Sequence, residues 1–215
     1  MKAMFPPVLA SFLKTRHTTL FMLACGALVT NAESYSHLTQ SAAGWVLPHI
    51  LIVNFSNHRA ISMAVDELVA FTAPEFHAVL TTSFFVDFAY RVLIEGFSLS
   101  YSFKPMLAAC SQSSLARHTS IVHVHFENGG IAYSKEYVFS HEKWRPWGYR
   151  LPASCNGCSS PLSWKDPVKS KSTYIFNCRN VDCHEVCSFD KPPCFVPFSL
   201  DVAGGRWMVR DYVIW

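Results

Sequence analysis

The sequence predicts an α/β domain, with a mainly parallel sheet flanked by helices, followed by a small cysteine-bearing β module. Three observations predict this. Over residues 19–139, short apolar runs alternate with helical patterns, the order expected of parallel strands joined by helices. Half of the 215 residues are apolar and only 15% are charged, a globular composition with a sizeable core. Six of the eight cysteines crowd into the segment from Cys155 to Cys194.

The elements follow in order. Residues 19–25 form an unbroken apolar run ended by Gly26, the pattern of a strand buried on both faces. Asn31 and Glu33 open a helix over 31–43. After Pro48, residues 49–53 read as a second buried strand, 59–66 as a short helix and 67–72 as a third strand. Pro74 and Glu75 open a long helix that runs to about Glu95 and stops at Gly96. Ser83, Asp87, Arg91 and Glu95 form one polar stripe on it, with Asp87–Arg91 and Arg91–Glu95 at pairing distance. The other positions are largely apolar, which predicts that most of this helix is buried.

A shorter helix is expected around 99–111, with Cys110 in the core. Residues 120–126 alternate, with Val122, Val124 and Phe126 on one face and Ile121, His123 and His125 on the other. Asn128-Gly129 is a hairpin turn into a strand over 131–139. His123 and His125 share a face and have chelating spacing, but no third ligand is visible in the sequence. They read as strand-surface histidines.

Residues 140–153 carry two prolines, a glycine and three aromatic residues, the composition of an ordered connector. Beyond it, Cys155-Asn-Gly-Cys158 is matched, after nineteen intervening residues, by Cys178-Arg-Asn-Val-Asp-Cys183. Two close pairs on such a loop can close around one tetrahedral zinc ion, with Gly157 easing the first turn. His184 and Cys187 are alternatives to Cys183 as the fourth ligand. Four protein ligands leave no position for water, so the zinc is expected to be structural. An even cysteine count also suits disulfides in a secreted chain. Residues 173–177 are a strand feeding the second pair, 191–198 are proline-rich, and 206–215 alternate as a terminal strand.

The net charge is +3, and its distribution is uneven. Lys143, Arg145, Arg150, Lys165, Lys169, Lys171 and Arg179 face only Glu142 and Asp166 between residues 140 and 180. Trp144, Trp147, Tyr149, Trp164 and Tyr174 interleave with them. Such residues can stack on bases and hold phosphates, or they can pack the connector, and packing is the expectation because no nucleic-acid signature accompanies them.

Leu23-Ala24-Cys25-Gly26 at the end of a buried strand resembles the cysteine-bearing strand end of caspase-like proteases, in particular the CHAT branch. Residues 67–72, the segment Phe84–Gly96 and the helix reaching Ala108-Ala109 are similar to that family's later strand, long helix, glycine and next helix. The resemblance covers roughly residues 17–126. With the connector and knuckles appended, the arrangement resembles fungal proteins of this type. The resemblance implies that Cys25 stands at the nucleophile position, with a histidine at the preceding strand end as its base. No His-Gly strand precedes Cys25 in this chain. His17 is followed by Thr18 and sits at the wrong end of its strand, so the chain resembles only the C-terminal half of the fold.

The expected division is a partial caspase/CHAT-like α/β domain over 1–139, a connector over 140–153, a zinc-ribbon-like module over 154–190 and a tail over 191–215. The expected function is a non-catalytic interaction or scaffold protein with structural zinc, whose exposed sheet edge is covered by a protein partner or by residues 1–16. Alternatives are a cysteine peptidase using Cys25 with a histidine from outside the chain, a nucleic-acid-binding zinc protein, and a small secreted disulfide protein. Lys2, the apolar run 20–29 and Asn31-Ala32 outline a signal peptide, but Lys14, Arg16 and His17 interrupt it. The expected location is therefore the cytoplasm or nucleus, with secretion as the alternative. No run reaches the roughly 18 apolar residues that a membrane span needs.

Overall fold

A computed structural model describes residues 19–22, 27–43, 65–75, 77–111, 114–127, 130–199 and 204–212. The expected strand at 49–53, most of the helix expected at 59–66, and Cys25 lie outside the described residues. No described helix is long and apolar enough to cross a membrane. The chain divides into two compact units. One comprises Met1–Ala78, Thr119–Tyr137 and Asp211–Trp215, and the other Val79–His118 and Val138–Arg210.

In the first unit, β1 (Thr19–Met22) precedes α1 (Ala27–Thr30) and α2 (Ala32–Ala43). The side chain of Asn31 accepts the Ser34 N–H at 3.0 Å, the cap that its position predicts. Then come β2 (Glu67–Phe71), β3 (Ile121–Glu127) and the first part of β4 (Gly130–His141). Val122, Val124 and Phe126 form one buried face with Leu68, Val65 and Tyr212, and Leu20, Tyr35 and Leu38 pack against it. The Tyr212 hydroxyl donates to the Val29 carbonyl at 2.5 Å, and Tyr35 and Ser134 share a hydrogen bond of 2.6 Å.

The second unit begins with a helical run. A 3-10 turn (Ala78–Thr81) leads into α3 (Thr82–Phe88), which continues as a π-helical segment (Ala89–Ile94). Gly96 ends it at φ +76°, a conformation that glycine adopts freely. The run starts at Ala78 instead of Glu75, and the expectation that most of it is buried is corrected. Ser83 of the polar stripe lies on the packed side, its Oγ 3.6 Å from Cys110 Sγ, and the expected Asp87–Arg91 pair forms at 3.5 Å. Phe84 meets Phe103 edge-on, while Val79, Val86, Leu93 and Ile94 are 63–76% exposed. The π segment contributes to this. Its Glu95 N–H reaches back five residues to the Tyr90 carbonyl, which moves the later residues around the axis relative to an α-helix.

Next come α4 (Leu99–Cys110), capped by Ser98, and α5 (Ser114–His118). Cys110 is fully buried, as expected. The end of β4 leads to a 3-10 turn (Pro146–Gly148) and then to β5 (Val168–Lys169), β6 (Thr173–Asn177), β7 (Val186–Asp190), β8 (Val196–Pro197) and β9 (Gly205–Asp211). Trp207 on β9 is fully buried, and its indole N–H donates to the Leu107 carbonyl at 2.7 Å.

Six strands take the order β1-β2-β3-β4-β9-β8, and β5-β6-β7 form a separate antiparallel sheet. The fold is therefore mixed α/β. The expected parallel pairing holds for β1 with β2, and β3–β4 are antiparallel as the expected hairpin requires, but β2–β3 and β8–β9 are antiparallel as well. The physical reason is in the connections. Glu127 pairs with Gly130 across a two-residue link, which allows only an antiparallel return. The chain re-enters beside the end of β2, where the Thr72 N–H donates to the Ser120 carbonyl at 3.1 Å, so β3 runs back along β2.

Candidate metal centre

The first knuckle is built by local hydrogen bonds. The Ser159 N–H donates to the Cys155 carbonyl at 2.8 Å, and the Cys155 N–H donates to the Ser160 carbonyl at 3.0 Å. This closes the loop tightly enough to turn Cys155 and Cys158 to one side. Gly157 has no left-handed backbone. Its value is space, since a Cβ there would lie 3.3 Å from both Cys183 Sγ and Glu185 Cβ.

The second knuckle hangs from the end of β6. The Cys178 N–H donates to the Glu185 carbonyl at 3.1 Å, and the Cys183 N–H donates to the Asn180 carbonyl at 3.1 Å. The two knuckles are tied by an antiparallel bridge of Trp164 with Cys178 and by the Lys165 N–H, which donates to the Asn177 carbonyl at 2.9 Å. Beneath them Trp164, Tyr174 and Phe176 form a small buried core with Cys155 and Cys178. The Trp164 indole N–H is satisfied by the Pro152 carbonyl at 2.8 Å.

These ties bring all four predicted sulfurs together. The ligand atoms of Cys155, Cys158, Cys178 and Cys183 lie within 4.8 Å of one another, the group of this kind found among the described residues. Cys155 Sγ is 3.7 Å from Cys183 Sγ, and Cys158 Sγ is 3.7 Å from Cys178 Sγ. Four arms of 2.3 Å at tetrahedral angles put sulfurs about 3.8 Å apart, so the site fits one thiolate-bound ion. All four are free thiols. Cys187 and Cys194 are also free and are not part of the group, and neither is His184.

The electrostatics of the thiols diverge. The Ser160 hydroxyl, 3.3 Å from Cys158 Sγ, and the Ser160 backbone lower Cys158 to about 6. Burial raises Cys178. The Glu185 backbone N–H pulls Cys183 down, but burial and the three neighbouring thiols outweigh it and bring Cys183 to about 12. Such crowding disfavours four thiolates without a cation between them and favours them once one is bound.

The aromatic residues of the connector turn towards protein partners. Trp144 stacks on His141 at 4.2 Å with Arg117 over its ring, Trp147 packs on Tyr174 at 4.9 Å, and Tyr149 stacks on Phe189 at 5.8 Å. Lys169 lies over Tyr174 and Lys191 over Trp147.

His123 and His125 are not surface histidines. His123 is 1% exposed and His125 is half-buried. Glu67, on the neighbouring strand, brings one carboxylate oxygen to 3.7 Å from His123 Nε2 and the other to 3.6 Å from His125 Nδ1. Sequence reasoning missed this carboxylate because only the β2–β3 register places it there. The three do not converge on one point as the four cysteines do.

Comparison of the chain with protein-family models, with curated proteins and with solved structures finds no match.

Proposed function

We propose that Cys155, Cys158, Cys178 and Cys183 hold one zinc ion as a structural staple, and that the chain is a non-catalytic interaction or scaffold protein. The observation that carries the metal reading is the sulfur spacing of 3.7 Å in both cross-knuckle pairs, the edge length of a tetrahedral thiolate site. A multi-iron cluster would hold its four cysteines farther apart. Zinc is favoured over a single iron ion by the common use of closed four-cysteine sites for structural zinc. With four protein ligands there is no open position at which water or substrate is activated, so the ion supplies folding energy and not chemistry.

The strand order supports the interaction reading. β1 stands at the end of that order among the described residues, an edge at which a partner strand can add. The aromatic faces engaged within the module favour packing over base stacking.

Metal analysis of the chain purified under reducing conditions tests the staple. One zinc per chain is expected, lost when Cys155 and Cys178 are both changed to Ser. A metal-free protein that folds normally overturns it. Cys25→Ala is expected to leave any peptidase activity of the preparation unchanged, and loss of such activity would restore the protease reading.

A further inference from the structure

We propose that the four cysteines have a second, metal-free closed form, with disulfides Cys155–Cys183 and Cys158–Cys178 made across the knuckles on oxidation. The inference rests on reading the cluster as a zinc site and adds a redox response to it. Two close sulfur contacts of the site, at 3.7 Å each, run between the knuckles. Each joins a half-buried thiol to a buried one: Cys158 with Cys178, and Cys183 with Cys155.

That asymmetry sets the order of events. Hydrogen peroxide from solvent meets Cys158 or Cys183 first. The Cys158 thiolate attacks one peroxide oxygen, the O–O bond breaks, and a sulfenic acid and hydroxide result. The Cys178 thiolate then attacks the Cys158 sulfur, and the S–O bond breaks to give the disulfide and a second hydroxide. Sulfur is oxidised and peroxide oxygen is reduced. Repeating the sequence at Cys183 and Cys155 uses a second peroxide, and the metal ion departs because its four ligands are gone.

Pairing within the first knuckle is opposed by its own hydrogen bonds. The Cys155–Ser159 and Cys155–Ser160 backbone bonds hold the loop, and Cys158 Sγ is turned to Ser160 Oγ at 3.3 Å. The cross-knuckle bonds close loops of 28 and 20 residues, so they replace the metal as ties between the same two segments. The ion is released and the module stays closed.

The test uses the full chain carrying Cys187→Ser and Cys194→Ser, to remove the neighbouring free thiols. Zinc content is measured first under reducing conditions, and hydrogen peroxide is then titrated in. A chromophoric chelator follows release, non-reducing peptide mapping identifies bonds, and limited trypsin digestion reports whether residues 154–190 stay closed. The expected result is release of the zinc, both cross-knuckle disulfides, and unchanged resistance to trypsin, all reversed by reductant and zinc. Adding Cys158→Ser should leave Cys155–Cys183 as the single bond formed. Disulfides within a knuckle, overoxidised thiols without disulfides, or zinc retained at excess peroxide would overturn the proposal. A chain with no zinc at the outset defeats the staple reading instead, and its disulfide map still decides the pairing.

Discussion

At the scale of single residues, Arg145 carries an unusual share of the second unit. It is buried, and its guanidinium donates to the Ala116 carbonyl at 2.7 Å and to the Gly148 carbonyl at 3.0 Å. Arg150 adds a bond to the His118 carbonyl at 2.8 Å, so the two arginines satisfy carbonyls that the short helix α5 leaves open. Arg145→Ala should cost about 1–3 kcal/mol in urea denaturation, because the carbonyls stay buried without a donor. Arg145→Lys should not restore it, since a single ammonium cannot reproduce the fork. Two glycines give contrasting expectations. Gly148 has φ +87°, and a methyl there would collide with Val138, so Gly148→Ala should cost about 2–5 kcal/mol in the same assay. Gly157 has ordinary backbone, and its methyl would only crowd Cys183 Sγ and Glu185. Gly157→Ala should leave the fold intact and weaken metal binding about tenfold, measured by chelator competition.

At the scale of elements, the sequence was most legible where an element ends on a local signal. The helix after Asn31, α4 after Ser98, the stop at Gly96 and β6 feeding Cys178 all stand where capping, turn and knuckle residues put them. Strand direction was legible only across the hairpin from β3 into β4; elsewhere it is decided by the partner and not by the strand. The run at β1 is parallel to β2 as expected, yet β3, with an equally regular pattern, is antiparallel. The helical run 78–94 shows the same limit. Its many apolar positions predict a mostly buried helix, but Ser83 of the polar stripe meets Cys110 while Val79, Val86, Leu93 and Ile94 are exposed. Trp207 ties β9 to α4 through bonds to the Leu107 carbonyl and Ser111 Oγ. Trp207→Phe keeps most of the ring volume but leaves both acceptors without this donor. It should cost about 1–3 kcal/mol by thermal or urea unfolding.

At the scale of the whole molecule, the cysteine module couples metal, protons and fold. Burial raises Cys178, and Cys183 reaches about 12, so both keep their protons at neutral pH without metal. Binding must displace these protons, so affinity rises with pH. From pH 8 to pH 7 it should fall at least a hundredfold. Cys158, lowered to about 6, adds a further proton only below that pH and makes the fall steeper there. Chelator competition at several pH values reads this slope, and a flat profile would contradict it. Removing the metal with a chelator should expose Trp164, seen as a red shift in fluorescence, and open Lys165, Lys169 and Lys171 to trypsin. The sequence by itself determined Cys155, Cys158 and Cys178 as candidate ligands, since two short cysteine segments specify their own turns, and it determined the caps and strands around them, while the folded chain selected Cys183 over His184 and Cys187 for the group. Tertiary structure decided which sulfurs face each other, how β3 runs, that Glu67 lies between His123 and His125, and that the connector's aromatic rings pack on protein. The physical reason is range. A knuckle or a cap is closed by hydrogen bonds a few residues long, whereas pairing across 20 or more residues is fixed only when the strands that carry the partners have docked.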